Sequence, residues 1–214
     1  MELKQAQYLF EQFFPGSKLE HIQAITEGLI NQTFVVSSTH HQKFILQSIN
    51  ITVFPLYEEG LYNILLVKKH LLEAKFPYTF PTPIKDKYIE FKSEIWRLLP
   101  FVEDSVCYDK VPSQAIVKEA GKCLGSFYRS TASVPVKQLH VTLSDFHAGA
   151  FRLAQFEQAL NTVDKERKEI AQELIENIDS QKELLLRFDQ LNVSLPQRVV
   201  HFDTKISNFL FDNK

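Results

Sequence analysis

Apolar side chains recur along this chain with two different periods, and the change falls at Pro100. Before it, Leu3, Ala6, Phe10 and Phe13 sit three or four residues apart and stop at Pro15-Gly16, which predicts a first helix. Three short runs of β-formers follow, Lys18 to Thr26, Thr33 to Ser38 and Lys43 to Ile49. Gly28 turns the chain after the first, and the polar Thr39-His40-His41-Gln42 closes the second. Tyr57 to Leu72 predicts a long helix with Leu61, Ile64, Leu65, Lys68 and Leu72 along one side. Phe76 to Pro83 holds three prolines and reads as a loop. Lys87 to Phe91 and Glu94 to Leu99 flank Lys92-Ser93 as a hairpin, with Trp96 expected in the core. Beyond Pro100 the helical period takes over, in Gln114 to Ser130, Phe151 to Leu160 and Lys165 to Phe188. The last of these is rich in charge, the mark of a solvated outer face. The tail, Gln197 to Phe211, returns to β-type residues around a polar loop. Strands first and helices second predict an α+β fold: a β-rich lobe over 1–99, a hinge over 100–105 and a helical lobe over 106–214.

Composition changes this picture at a few points. Lys plus Arg is 24 and Asp plus Glu is 26, a formal charge of −2. That balance argues against a broad basic field for nucleic acid or an anionic membrane. A hydrophobic share of 44% and a charged share of 23% support a sizeable core rather than disorder. Cys107 and Cys123 build no disulfide framework and lack zinc-ligand spacing, and the His40-His41 pair has no partner at such spacing either. Six glycines in 214 residues is under half the usual share of roughly 7%. Gly121-Lys122 lacks the spacing of a Walker loop, and Gly121 and Gly125 read as sites of close helix packing. Met1-Glu2-Leu3-Lys4-Gln5 has no signal-peptide character, and apolar runs such as Ile64 to Val67 fall far short of the ~20 residues of a membrane span. The expectation is a soluble cytoplasmic protein with no nucleic-acid or membrane partner.

Chemistry concentrates in the tail, Val199-Val200-His201-Phe202-Asp203-Thr204-Lys205-Ile206-Ser207-Asn208-Phe209-Leu210-Phe211, an H-x-D-x-K-x-x-N loop expected between two short apolar strands. Kinase-type phosphoryl transfer needs a carboxylate to accept the attacking hydroxyl's proton, an amide oxygen on Mg²⁺ and positive charge beside the moving group. Asp203, Asn208 and Lys205 supply these three, and His201 holds the loop by hydrogen bonds. Four fixed positions at about one in twenty each arise by accident in roughly one chain in a thousand. The bland alternative is an Asp/Asn-stabilised turn.

With this loop, Gly28-Leu29-Ile30-Asn31-Gln32-Thr33, Phe44 to Asn50 with Val53-Phe54, Glu94 to Glu103, Tyr108-Asp109-Lys110-Val111 and Asp145-Phe146-His147, the chain resembles the aminoglycoside phosphotransferase-like kinases. Within them it is most similar to the bacterial N-acetylhexosamine 1-kinases, over nearly its whole length. The resemblance implies a protein-kinase-like fold, ATP and Mg²⁺ as cofactors, and phosphorylation of the anomeric hydroxyl of GlcNAc or GalNAc. It also implies Gly28, Asn31, Thr33, Gln47, Leu99 and Phe101 as nucleotide contacts. Small polar groups after Gly28 offer backbone N–H donors to phosphate, and an ordinary hairpin turn satisfies the same spacing. The backbone of Leu99 to Phe101 offers hydrogen bonds to adenine, and a plain lobe connector fits there too.

Three departures stand out. Gln47 occupies the third-strand position where kinases place a lysine paired to a helix glutamate, here Glu58 or Glu59. Phe202 replaces a polar loop residue. The chain stops at Lys214, before the second metal-binding aspartate of the family, and Asp212, four residues past Asn208, reads as a turn residue. A C-terminally truncated kinase is therefore expected, with helical faces left bare and open to self-association. Another acceptor (aminoglycoside, choline-like alcohol or homoserine) and a non-catalytic nucleotide-binding fragment are the alternatives. Sulfatase activity is rejected, since Ser133-Val134-Pro135-Val136-Lys137 lacks the required arginine.

Overall fold

The expected strands assemble into one antiparallel sheet. In the computed structural model, which describes residues 1–26, 28 and 30–212, β1 (Leu19–Ile25), β2 (Gln32–Ser38), β3 (Lys43–Ile49), β4 (Ile89–Phe91) and β5 (Glu94–Pro100) lie in the order β1-β2-β3-β5-β4. Lys92 and Ser93 take φ of 54° and 63°, the doubly left-handed turn that matches the twist of a two-residue hairpin. The first helix, α1 (Leu3–Phe13), has the predicted bounds and lays Ala6, Leu9, Phe10 and Phe13 on one face of the sheet. There they meet Phe34, Val36, Leu46, Trp96 and Leu98. Each fully buried Leu or Phe contributes about 1.5–3 kcal/mol. The Trp96 indole N–H is buried with no partner among the described residues, a cost of about 1–3 kcal/mol against that gain.

Because side chains alternate across a strand, the opposite face carries a different set. Thr33, Gln47 and Arg97 stand directly across from one another on β2, β3 and β5. This polar row runs between two apolar rows, Val35-Ile45-Leu99 and Ile49-Ile95.

Two helices pack on each other. Val67 and Leu71 of α2 (Tyr57–Glu73) and Phe127 of α3 (Gln114–Ser130) form a second cluster, joined by Phe76, Phe80, Tyr128 and Val199. Here α2 does not use the side expected of it: Val67 and Leu71 are buried, while Leu72 is exposed and Lys68 pairs with Asp86. The chain divides into two compact units, residues 1–142 with 198–214, and residues 143–197. The second unit consists of α4 (Gly149–Thr162), α5 (Lys165–Ile170) and α6 (Gln172–Ser194).

Several expectations are corrected. The helix predicted over Lys165 to Phe188 is two helices, parted at Ala171, whose ψ of 3° leaves the α-helical range. Val199-Val200 is not a strand; Val199 serves as an apolar peg in the α2–α3 cluster. Asp212 lies in a strand, β7 (Phe211–Asp212), paired with β6 (Ser105–Val106), rather than in a turn. A Cβ added at Gly121 or Gly125 meets nothing within 4 Å, so neither glycine mediates close packing. Among the described residues no helix is long and apolar enough to cross a membrane.

Candidate functional site

The loop from His201 to Asn208 is held at both ends. Upstream, Val199 packs among Val67, Leu71 and Phe127, and the His201 ring stands edge-on to Phe127 with centroids 6.5 Å apart. Downstream, Val106 pairs with Phe211, and the Tyr108 ring packs on Phe211 at 5.5 Å. The Cys107 thiol donates to the Ser207 carbonyl at 3.1 Å. Burial, aided by Asp109, pushes that thiol up from its ordinary value of 9.0, so it remains a donor at neutral pH. The loop is thus anchored by one peg and one short ladder, where the sequence suggested two flanking strands.

Within the loop the backbone is strained. Phe202 adopts φ of 66°, and the Asp203 N–H closes back on the His201 carbonyl at 2.9 Å. A non-glycine residue in that region costs about 1–3 kcal/mol and persists only where its surroundings impose it. The Asn208 side-chain N–H₂ donates to the Asp203 carbonyl at 2.8 Å, and the Asn208 N–H donates to Lys205 O at 3.0 Å. Lys205 Nζ lies 3.7 Å from Asp203 Oδ2, an exposed pair that adds little stability. Asp203, Lys205 and Asn208 are therefore gathered on one turn, with His201 at its root. There its ring contact with Phe127 takes the place of the expected side-chain hydrogen bonds among the described residues.

The second group is the polar row on the sheet. Gln47 does not engage Glu58 or Glu59 among the described residues. Its Oε1 accepts from Arg97 Nε at 2.9 Å and Nη2 at 2.6 Å, and its Nε2 donates to Thr33 Oγ1 at 2.8 Å. Thr33 Oγ1 reaches the Asn31 carbonyl at 3.5 Å, and Asn31 Oδ1 accepts from the Asn50 N–H at 2.9 Å. A Cβ on Gly28 lies 3.4 Å from Asn31 O, an ordinary contact. Glu27 and Leu29 of the same turn lie outside the described residues. Leu99 and Phe101 lead out of β5; Leu99 pairs with Ile45, and Lys43 Nζ stands 5.2 Å over the Phe101 ring.

Arg97 escaped the sequence reading, although its charge inside Ile95-Trp96-Arg97-Leu98-Leu99 was a visible signal. Cys107 and Phe127 escaped it because their roles exist only in three dimensions. His40 and His41 form an exposed turn, where His41 faces Glu20 at 3.3 Å. For Mg²⁺, Asn208 Oδ1 is an oxygen of the right kind, and such sites use one or two protein ligands beside phosphate oxygens. Among the described residues no cluster of three His, Cys, Asp or Glu is arranged to hold a metal. For a nucleotide, the half-buried Arg97 on an apolar face offers charge and hydrogen-bond donors.

Known proteins share this fold. A spectinomycin phosphotransferase, solved with ADP and spectinomycin, superposes with a TM-score of 0.65 at 16% identity, over 99% of this chain and 65% of its own. An APH enzyme solved with GDP and kanamycin gives 0.53 at 14% identity, over 94% of this chain and 65% of its own. A type I macrolide 2′-phosphotransferase gives 0.50 at 14% identity, over 98% and 67%. This chain thus spans 65% of the length of the first two, and at such identities the likeness is one of fold, an α+β protein-kinase-like fold. The sequence profile of the phosphotransferase enzyme family, APH, matches residues 21–214, and the chain belongs to that family.

Proposed function

We propose that this protein transfers the γ-phosphoryl group of ATP to a hydroxyl of a small molecule, an N-acetylhexosamine, with Asp203 as general base. The observation that carries the reading is the His201–Asn208 turn, where Asn208 clamps the Asp203 carbonyl and Lys205 stands beside its carboxylate. On this reading residues 1–99 form the nucleotide lobe, 100–105 the hinge, and 106–214 belong to the helical lobe. The turn at Gly28, Asn31 and Thr33 faces phosphate, while Leu99 and Phe101 flank the base of the nucleotide. The family membership supports a small-molecule acceptor, and the resemblance of the motif segments supports the anomeric hydroxyl of GlcNAc or GalNAc.

In the reaction the Asp203 carboxylate takes the proton of the acceptor hydroxyl as its oxygen bonds to the γ-phosphorus. The bond from that phosphorus to the β,γ-bridging oxygen breaks, and ADP carries away the electron pair. Lys205 offsets the negative charge beside the acceptor, and His201 fixes the root of the turn against Phe127. Mg²⁺, with Asn208 among its ligands, supplies neutralisation of phosphate charge when bound.

The test is ADP release from the protein expressed from its whole reading frame, given ATP, Mg²⁺ and either GlcNAc or GalNAc. Turnover with one of these sugars is expected; a protein that releases no ADP in response to either sugar contradicts the proposal. Spectinomycin and kanamycin belong in the same panel, because solved relatives of this fold were crystallised with them. Turnover with those alone moves the acceptor to the aminoglycoside class.

A further inference from the structure

The polar row on the sheet holds a charge that the mechanism above leaves unused. A guanidinium carries five N–H donors, and Arg97 commits Nε and one Nη2 hydrogen to the single oxygen Oε1 of Gln47. Among the described residues Arg97 forms no ion pair, and it is half-buried between the rows Val35-Ile45-Leu99 and Ile49-Ile95. A cation in such surroundings loses hydration without a protein anion to replace it. Three of its donors remain for an anionic ligand. Gln47, neutral in itself, acts as a bracket: its oxygen holds the guanidinium, and its Nε2 is fixed by Thr33. Through Thr33 Oγ1 and Asn31 the same line of contacts reaches the turn after β1. Cation and phosphate-facing turn are therefore parts of one hydrogen-bonded row.

We propose that Arg97 is the cation that binds the nucleotide's phosphate groups, reaching from β5 the place that a β3 lysine serves in other kinases, with Gln47 as its positioning residue. The inference rests on the nucleotide reading above. An arginine suits the task, because its planar fork accepts the Gln47 oxygen on one edge and a phosphate on another.

The experiment measures binding of adenosine and ADP by calorimetry in the presence of EDTA, so that neither metal nor turnover enters. The wild-type protein should bind ADP more tightly than adenosine. Arg97→Met should weaken ADP roughly 10- to 100-fold, the scale of one charged hydrogen-bonded contact, and leave adenosine unchanged. Arg97→Lys should fall between, and the double variant Gln47→Lys/Arg97→Met should regain most of the loss by returning a cation to β3. Arg97→Met with unaltered ADP affinity overturns the proposal. Equal losses of ADP and adenosine in Arg97→Met and Arg97→Lys alike make Arg97 a structural residue and overturn it as well. A wild-type protein that binds neither ligand removes the nucleotide reading itself, an outcome separate from both.

Discussion

Phe202 holds a left-handed backbone at the centre of a three-residue turn, next to the carboxylate assigned to proton transfer. The cost of that conformation is met by neighbours on both sides, the His201 ring on Phe127 and the Asn208 amide on the Asp203 carbonyl. In the proposed mechanism Asn208 has two tasks, the clamp on the Asp203 carbonyl through its N–H₂ and a place among the Mg²⁺ ligands through its Oδ1. Asn208→Ala removes both. The clamp it deletes contributes about 1 kcal/mol, so thermal melting should shift only a few degrees, while kcat falls at least tenfold. Unchanged kcat in this variant would take Asn208 out of the site.

At the scale of elements, anchoring is achieved by very little backbone. The ladder of β6 and β7 has only two residues on each side, and the Cys107 bond to Ser207 O reinforces it. The Cys107 thiol's raised pKa means that this reinforcement is present below its unfolded value of 9.0 and is lost as pH rises through the higher folded value. Cys107→Ala should therefore lower the melting temperature by about one or two degrees at pH 8, relative to wild type, with the difference vanishing well above pH 9. In the second unit, Asp189 of α6 accepts from Ala150 N–H at 2.8 Å and Gly149 N–H at 2.9 Å, capping α4 from a neighbouring helix. Those bonds hold its carboxyl below the usual carboxylate range, so the cap persists above that range and fails as pH falls through the lowered value. Gly149→Ala places a Cβ 3.0 Å from Leu185 O, a mid-helix carbonyl that cannot yield alone. Such overpacking costs about 1–3 kcal/mol, a drop of several degrees in melting temperature.

These elements also show what sequence made legible. α1, β3, α2 and α3 follow the predicted bounds closely, because an amphipathic period or a dense run of β-formers defines each. Val199-Val200 misled because two β-branched residues pack equally well as a peg, and only the cluster around Phe127 decides between the two. The charged helix after Lys165 has no apolar face strong enough to reveal its break at Ala171. Gln47 was visible as a departure, but its partner was not. Strand periodicity tells which residues share a face, whereas the pairing of β3 with β5 brings Arg97 to it.

Taken whole, the chain carries a sheet face with a polar row, a strained acidic turn and a set of helices with much apolar surface exposed. On α6, Leu174, Leu184, Phe188, Leu191 and Val193 are all exposed. Surface of that kind favours contact with another chain, and sedimentation at tens of micromolar should show species larger than one chain. A single monomeric boundary at every concentration would argue against that. The proposed phosphoryl transfer depends most on Asp203 as its base. The most direct test compares Asp203→Asn with the wild-type protein, for kcat of ADP release with an N-acetylhexosamine and for ADP affinity. A loss of roughly 100- to 10,000-fold in kcat, with ADP affinity retained, is the predicted result; kcat within a few-fold of wild type would contradict it.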